Sequence, residues 1–247
     1  MNTLRIITLS LIILTITATI QAAEEPEKKW SNEAELSYVK TDGNTELMTL
    51  SAKNLLKYTI TEKLASSWKL NILYSEDQGE TTSESYATEL KLNYLFTERF
   101  FVLYTVGGLR DKFSGIRYRI NTGPGLGYKL LTGPKHFLVS ELGAEYVKEE
   151  NTERVTDQYV RGRAFAQYDY EFTKKNKFTQ SVEYLHNFEE SEDYNINSIT
   201  ALTSALNDIF SMKASYEIRY DHLPAVEDGV VLKKTDKVLT LALVINF

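Results

Sequence analysis

From residue 30 to residue 247, apolar and polar residues alternate along the chain in segments of about ten residues. In the clearest segment, residues 211–221, every second residue from Met212 to Tyr220 is apolar, and the residues between them are Lys, Ser, Glu and Arg. Because successive side chains of a β-strand point to opposite faces, this period of two predicts strands that are apolar on one face and charged on the other.

About twelve such segments follow one another, each with the length that a tilted strand needs to cross a bilayer. Their predicted bounds are residues 30–41, 46–59, 64–75, 84–96, 100–110, 117–130, 136–148, 158–172, 177–188, 194–206, 211–221 and 234–247.

The connections between these segments alternate in length and charge. Those after odd-numbered segments are mostly longer and acidic, as at residues 76–80 and 149–153, whereas those after even-numbered segments are tight, as at residues 97–99. One exception is Asp-Gly-Asn at residues 42–44, which predicts a short hairpin turn. Bacterial membrane barrels have short periplasmic turns and longer external loops. The predicted fold is therefore an all-β transmembrane antiparallel up-and-down β-barrel of about 12 strands.

The first residues indicate the compartment. A short basic start is followed by an apolar run at residues 6–20 and then by small residues, which predicts a signal peptide at residues 1–22. A short periplasmic segment at residues 23–29 and the barrel at residues 30–247 would follow. The absence of cysteine excludes disulfides, thiolate metal ligands and a lipid-modified cysteine. The net charge of -6 argues against a nucleic-acid partner.

The last segment and the aromatic residues favour a membrane location. Aromatic residues lie near many segment ends, where membrane barrels carry interfacial girdles. Alternate residues from Leu239 to Phe247 are apolar, and the chain stops on this phenylalanine, as is typical of outer-membrane barrels. We therefore predict the outer membrane as the location, its lipid as a partner, and Phe247 as the signal by which the barrel assembly machinery binds the last strand. The oligomeric state stays open.

Three sequence features carry a resemblance to a known family. They are W-x-x-x-A-E-L-S-Y-x-x-T-x-G-N-T at residues 30–45, Gly107-Gly108 together with Gly-Pro-Gly-Leu-Gly-Tyr at residues 123–128, and the final strand that ends at Phe247. In these features the chain resembles the salt-induced outer-membrane protein family, over nearly all of the sequence after the signal peptide. The resemblance implies an outer-membrane barrel. No activity is established for this family, so the resemblance implies no catalytic residue and no cofactor.

The charged face predicts the lining of the lumen. By alternation, five glycines face inward and would leave one bare wall with space beside it: Gly107, Gly123, Gly125, Gly127 and Gly143. The other candidate lining residues are Arg117, Arg119, Glu141, Glu145, Arg161, Arg163, Lys213 and Arg219. If the arginines at 117, 119, 161 and 163 are uncompensated, they should attract small anions. If the two glutamates neutralise them, the pairs should simply fill the interior.

Barrel size leaves this choice open, because about eight strands give a filled interior and 16 to 18 give an aqueous channel. We therefore expect an envelope component with a narrow lumen that can pass small charged solutes, and not an enzyme. Two alternatives stay open. One is a soluble periplasmic β-barrel binding protein with its apolar face inward, and the other is an outer-membrane hydrolase that uses His222 beside Asp221. The glycine spacing does not match a dinucleotide loop, and the histidines lack metal-ligand spacing, so no catalytic, cofactor or metal site is predicted.

Overall fold

The computed structural model describes residues 28–41, 47–224, 226–227 and 229–247. The predicted signal peptide and the predicted turn at residues 42–44 lie outside these ranges. Within them, no helix has the length and the hydrophobicity needed to cross a membrane.

Twelve strands pair antiparallel and in chain order to form one closed barrel. They are β1 Trp30–Thr41, β2 Leu47–Thr59, β3 Leu64–Asp77, β4 Glu80–Leu95, β5 Phe100–Asp111, β6 Ile116–Thr132, β7 His136–Asn151, β8 Thr156–Thr173, β9 Asn176–Asn187, β10 Tyr194–Ala205, β11 Phe210–Asp221 and β14 Thr235–Asn246. Two short strands, β12 Val226–Glu227 and β13 Val230–Val231, form a hairpin in the connection between β11 and β14. A 3-10 turn at Lys112–Ser114 joins β5 to β6. The predicted fold and strand number are confirmed.

The orientation of the two faces decides between a membrane barrel and a soluble one. Leu239 on β14 is 72% exposed on the outside of the barrel, whereas Glu145 on β7 is only 3% exposed and faces the interior. Apolar side chains thus cover the exterior and charged side chains fill the interior. A soluble barrel needs the opposite arrangement, so the alternative of a soluble barrel with an apolar interior is wrong.

We call the end at which β1 begins and β14 stops the terminal end, and the opposite end the distal end. At the distal end, the acidic stretch at residues 76–80 was predicted as a loop, but it is a two-residue turn. Gln78 and Gly79 have φ angles of 51° and 82°, as a tight hairpin turn requires. The strands β3 and β4 continue up to this turn because their backbones keep pairing beyond the apolar belt. This acidic connection is therefore as tight as the turns at the terminal end, whereas the connections from β9 to β10 and from β11 to β14 are long, as predicted.

The barrel closes where β1 meets β14, and this seam is short. Only Glu33–Leu36 on β1 are in register with Leu243–Asn246 on β14, and two backbone hydrogen bonds between Asn32 and Phe247, of 3.3 and 2.9 Å, extend the pairing at the terminal end. On their other sides, β1 pairs with β2 and β14 pairs with β11 along nearly their whole lengths.

Candidate functional site

The predicted bare wall of the lumen is wrong, because large side chains from β5 cover its glycines. Phe101 is in register with Gly127, and a Cβ atom on this glycine would lie 2.1 Å from the Phe101 Cζ atom. Leu103 is in register with Gly125, where a Cβ atom would lie 2.9 Å from the Leu103 Cδ1 atom. Phe101 and Leu103 are both buried. The glycines therefore receive the side chains of the neighbouring strand and leave no open space.

The other glycines permit close approaches around Pro124, which cannot donate a ladder hydrogen bond. A Cβ atom on Gly123 would lie 2.0 Å from the carbonyl oxygen of Ala144, and one on Gly143 would lie 3.0 Å from the carbonyl oxygen of Pro124. At Gly107, the Asn121 side chain occupies the corresponding position at 2.5 Å. We call the inward face of β5, β6 and β7 the glycine wall. Its glycines allow β6 and β7 to approach each other more closely than residues with a side chain at these positions would.

A chain of buried ion pairs crosses the glycine wall. Lys91 on β4 reaches over β5 and β6 to Glu141 on β7, at 2.8 Å from Nζ to Oε2. Arg163 on β8 binds the same carboxylate at 2.9 Å and also binds Glu183 on β9 at 2.7 Å. Lys91, Glu141 and Arg163 are all buried. Removing one partner of such a pair leaves a buried charge uncompensated, so this chain fixes four strands relative to one another.

The remaining arginines of the predicted site are paired as well. Arg161 binds Glu145 at 2.8 Å, and the Thr105 hydroxyl lies 3.2 Å from the same carboxylate. Nearer the distal end, Arg119 binds Glu149 and Arg117 binds Glu150. The four arginines therefore present no uncompensated charge, and the structure follows the alternative in which carboxylates neutralise them.

Phe101, Leu103, Glu149 and Glu150 are among the residues of this site that sequence reasoning missed. The first two could have been found from alternation, because it places Phe101 and Leu103 on the inward face of β5, which is otherwise the charged face of most strands. Their position opposite glycines also needs the register between β5 and β6, which the sequence does not show. The two glutamates had been assigned to a loop because β7 was predicted to end at residue 148.

The opposite part of the lumen is more accessible. We call the inward faces of β1, β2, β3 and β11 the open side. Lys69 on β3 is 42% exposed there, compared with 6% for Arg163 beside the glycine wall. Lys53 pairs with Glu217 at 3.3 Å. Arg219 binds the same glutamate at 2.6 Å.

The predicted lining residue Lys213 on β11 lies on the open side next to the seam. It pairs with Glu35 on β1 across the intervening β14, and Glu33 lies 3.6 Å from the same Nζ atom. The structure thus divides the predicted lining into two groups. Lys213 and Arg219 belong to the open side, and the other charged residues of the set belong to the glycine wall or its distal rim.

The three histidines lie among outward-facing aromatic rings at the two ends of the barrel. At the terminal end, His136 stacks on Tyr170 with ring centroids 4.7 Å apart. At the distal end, His222 stacks on Tyr194 at 4.5 Å, and His186 lies 6.0 Å from a neighbouring tyrosine ring. These clusters are interfacial girdles of the kind that membrane barrels carry.

The contacts of His222 do not support the hydrolase alternative. Its Nδ1 atom lies 2.9 Å from the Tyr220 hydroxyl, whereas the Asp221 carboxylate accepts a hydrogen bond from the Leu223 backbone N–H at 3.0 Å. The two side chains therefore make separate contacts and do not form an Asp–His pair. Within the described ranges, no group of three or more His, Asp or Glu side chains is arranged to hold a metal ion.

Solved structures with a similar fold are membrane barrels. The NanC porin superposes with a TM-score of 0.52 at 8% identity, covering 87% of this chain and 97% of the porin. The translocator domain of the autotransporter NalP from Neisseria meningitidis gives 0.53 at 8% identity, covering 91% of this chain and 90% of that domain. At such identities the likeness establishes the fold alone. Together with the apolar exterior, it identifies an outer-membrane β-barrel.

The sequence comparisons assign the family. The chain is 26% identical over 217 residues to the uncharacterized protein YdiY of Escherichia coli (strain K12). This alignment covers 88% of this chain and 83% of YdiY. Residues 34–247 match the family described as "Protein of unknown function, DUF481". As the resemblance of its first strand, its glycine-rich middle and its last strand implied, the chain belongs to this family of outer-membrane barrels.

Proposed function

We propose that the protein conducts small charged solutes across the outer membrane through a narrow passage on the open side of its lumen. The observation that carries this proposal is the difference in exposure between the two sides. At mid-height, Glu141, Glu145 and Arg163 at the glycine wall are only 3–6% exposed, whereas the Lys69 side chain on the open side is 42% exposed. At mid-height the accessible part of the lumen therefore lies on the open side, and the proposed passage is off-centre and narrow.

The charges on the open side favour anions weakly. Lys53 and Lys69 are partly neutralised by carboxylates, the second by Glu89 at 3.2 Å. Among the residues that the structure describes, no carboxylate lies within 4.0 Å of the Lys57 ammonium group. Cationic side chains at a constriction set anion preference in pores. The preference thus rests on β2 and β3 and not on the arginines of the glycine wall.

Planar-bilayer recordings of the purified protein test this proposal. The wild type should show a small conductance, and under a salt gradient its reversal potential should indicate a slight anion preference. Lys57→Glu should shift this potential toward cations, and Lys69→Trp should reduce the conductance by filling the passage. A matched control is Lys175→Glu, which changes the same charge in an exposed turn at the terminal end and should leave selectivity unchanged.

One contact favours a second function, that of a closed envelope component. Arg219 on β11 lies 3.8 Å from Asp111 on β5, although five strands lie between β11 and β5 in either direction around the barrel. This ion pair bridges the lumen near its distal end. A silent bilayer, with wild type and variants folded normally, would favour the closed component over the channel.

We also propose that the barrel assembly machinery recognises the last strand through Phe247. The ring of this residue is about half exposed on the outside of the barrel. Its backbone N–H donates to the Asn32 carbonyl at the start of the seam. A residue that is exposed before closure and paired after it can serve as a signal that is lost once the barrel has formed.

A further inference from the structure

The outside of the barrel carries an apolar groove over the glycine wall. It has a volume of about 690 Å³ and is lined by Leu92, Val102, Leu126 and Leu142, among other apolar residues. Leu103 also lines the groove although it points inward, because the neighbouring glycines have no side chain to cover it. The same glycines that let β6 and β7 approach each other thus make the wall thin and concave on its outer face.

The groove extends over one half of the height of the barrel. It includes Leu64 and Tyr94, at the terminal ends of β3 and β4, and reaches Pro124 near the middle of β6. With the terminal end in the periplasm, as the short turns indicate, the groove lies within the periplasmic leaflet. An apolar groove at this depth fits an acyl chain, and its mouth lies at the level of the lipid headgroups.

Two turns with the same geometry stand at the mouth of the groove. In one turn, the Thr61 hydroxyl accepts hydrogen bonds from the backbone N–H groups of Lys63 and Leu64, at 3.3 and 3.0 Å. In the other, the Thr97 hydroxyl accepts the equivalent bonds from Arg99 and Phe100, at 3.3 and 2.9 Å. These turns connect β2 to β3 and β4 to β5, so they lie at the terminal ends of three of the strands that line the groove, and the turn at residues 133–135 joins the other two, β6 and β7.

The exposed central residues of these two turns carry one acid and one base each. They are Glu62 and Lys63 in the first turn, and Glu98 and Arg99 in the second. Away from the groove, a turn with the same threonine geometry carries Lys174-Lys175 at its centre. A shared backbone geometry therefore does not dictate this composition. A headgroup with a phosphate and an ammonium group matches a base beside an acid, whereas an anionic headgroup matches two bases.

We propose that the groove binds one acyl chain of a phospholipid with a zwitterionic, primary-ammonium headgroup from the periplasmic leaflet. Lys63 and Arg99 lie where the phosphate would be, and Glu62 and Glu98 lie where the ammonium group would be. The lipid covers the thinnest part of the barrel wall and binds independently of conduction through the lumen.

Native mass spectrometry of the delipidated, detergent-purified barrel tests this assignment. The probe is an equimolar mixture of phosphatidylethanolamine and phosphatidylglycerol with the same acyl chains. The wild type should retain phosphatidylethanolamine about fivefold over phosphatidylglycerol. Ala144→Phe, which fills the groove, should abolish the preferential retention. Leu202→Trp is the matched control, because it enlarges an exposed apolar residue on β10 outside the groove, and it should retain lipid as the wild type does.

A second variant keeps the test decisive if Ala144→Phe fails to fold. The double substitution Glu62→Lys and Glu98→Lys gives both turns two bases, as in the Lys174-Lys175 turn, and changes only exposed side chains. It should reverse the preference in favour of phosphatidylglycerol. The proposal is overturned if the wild type retains both lipids equally, if a folded Ala144→Phe barrel retains as much phosphatidylethanolamine as the wild type, or if the double variant keeps the original preference.

Discussion

The glycine wall and the seam are both contacts between antiparallel strands, yet they hold the barrel in different ways. Along the wall, β6 pairs with β7 over nearly its whole length, side chains from β5 lie over glycines, and buried ion pairs run across several strands. At the seam, four residues of β1 are in register with four residues of β14. The glycine wall is held by side-chain packing and ion pairs as well as by backbone pairing. The seam is held mainly by backbone pairing at the terminal end.

The difference shows which part of the barrel depends on side-chain shape and which part depends on closure. Because the strands of the glycine wall approach each other closely at glycines, a side-chain atom added to one of these glycines should destabilise the barrel. A seam that depends on few backbone hydrogen bonds should tolerate side-chain changes but respond to the loss of a paired residue. The outer side chains of β14 just beyond the paired residues, Leu239 and Leu241, are among the most exposed of the described residues, in keeping with sparse packing where β1 and β14 no longer pair.

The largest effect is expected at Gly123. Gly123→Val should prevent the barrel from folding or destabilise it by more than about 3 kcal/mol, because the new Cβ atom would lie 2.0 Å from a backbone oxygen that cannot move alone. Heat-modifiable gel migration of the membrane fraction measures the folded population. The control is Gly133→Ala, where the nearest atom to the new Cβ would be 3.6 Å away. Normal folding of Gly123→Val would contradict this account of the wall.

The next largest effect distinguishes the ion pairs of the two regions. Arg163→Ala removes a buried cation from two carboxylates and should lower the free energy of unfolding by about 3–5 kcal/mol. Lys213→Ala removes a cation that joins β11 to β1 beside the seam, but this side chain is more exposed, so about 1 kcal/mol is expected. Urea titrations of both variants give the comparison. Equal losses would show that the wall is no more tightly fixed than the seam.

The sequence contained most of the fold. Alternation located all twelve barrel strands because lipid outside and charge inside impose a period of two on every strand. Strand ends were less well placed at the distal end, where β3 and β4 continue through acidic residues up to Gln78. Charged side chains there predict a loop, but they also occur in strands that rise above the membrane.

The site was predicted less completely, for a physical reason. Alternation shows which face a residue occupies, and it predicts that Gly125 and Arg163, which are both buried, face the interior. It does not show which residue on the next strand lies opposite, and this register determines that Leu103 covers the glycine and that Glu141 neutralises the arginine. Whether an inward glycine leaves space or receives a neighbour thus depends on information that one strand does not contain.

A smaller effect is expected from the last residue. Deleting Phe247 removes two backbone hydrogen bonds to Asn32 and the proposed assembly signal, so the amount of folded protein in the outer membrane should fall. The conductance of each folded molecule should not change, because the ring lies outside the lumen. Quantitative blots of membrane fractions and single-channel recordings measure the two quantities. The control is Leu239→Ala, an exposed position on the same strand beyond the paired part of the seam. Unchanged membrane levels after the deletion would refute the assembly role.

The smallest effect is expected from cross-linking, which maps the seam without disturbing it. The chain has no cysteine, so pairs can be introduced without a background. Leu36 and Leu243 are in register, and antiparallel partners have Cα atoms within the range that a disulfide needs. Leu36→Cys with Leu243→Cys should therefore oxidise readily.

If the same register continued for two more residues, Tyr38 would lie opposite Leu241, also on the outer face, but the paired segment stops at Leu36. Tyr38→Cys with Leu241→Cys should therefore cross-link much more slowly, as followed by gel shifts under mild oxidant. Equal rates would show that β1 and β14 pair along their whole lengths in the membrane, and the contrast between the seam and the glycine wall would then rest on side chains alone.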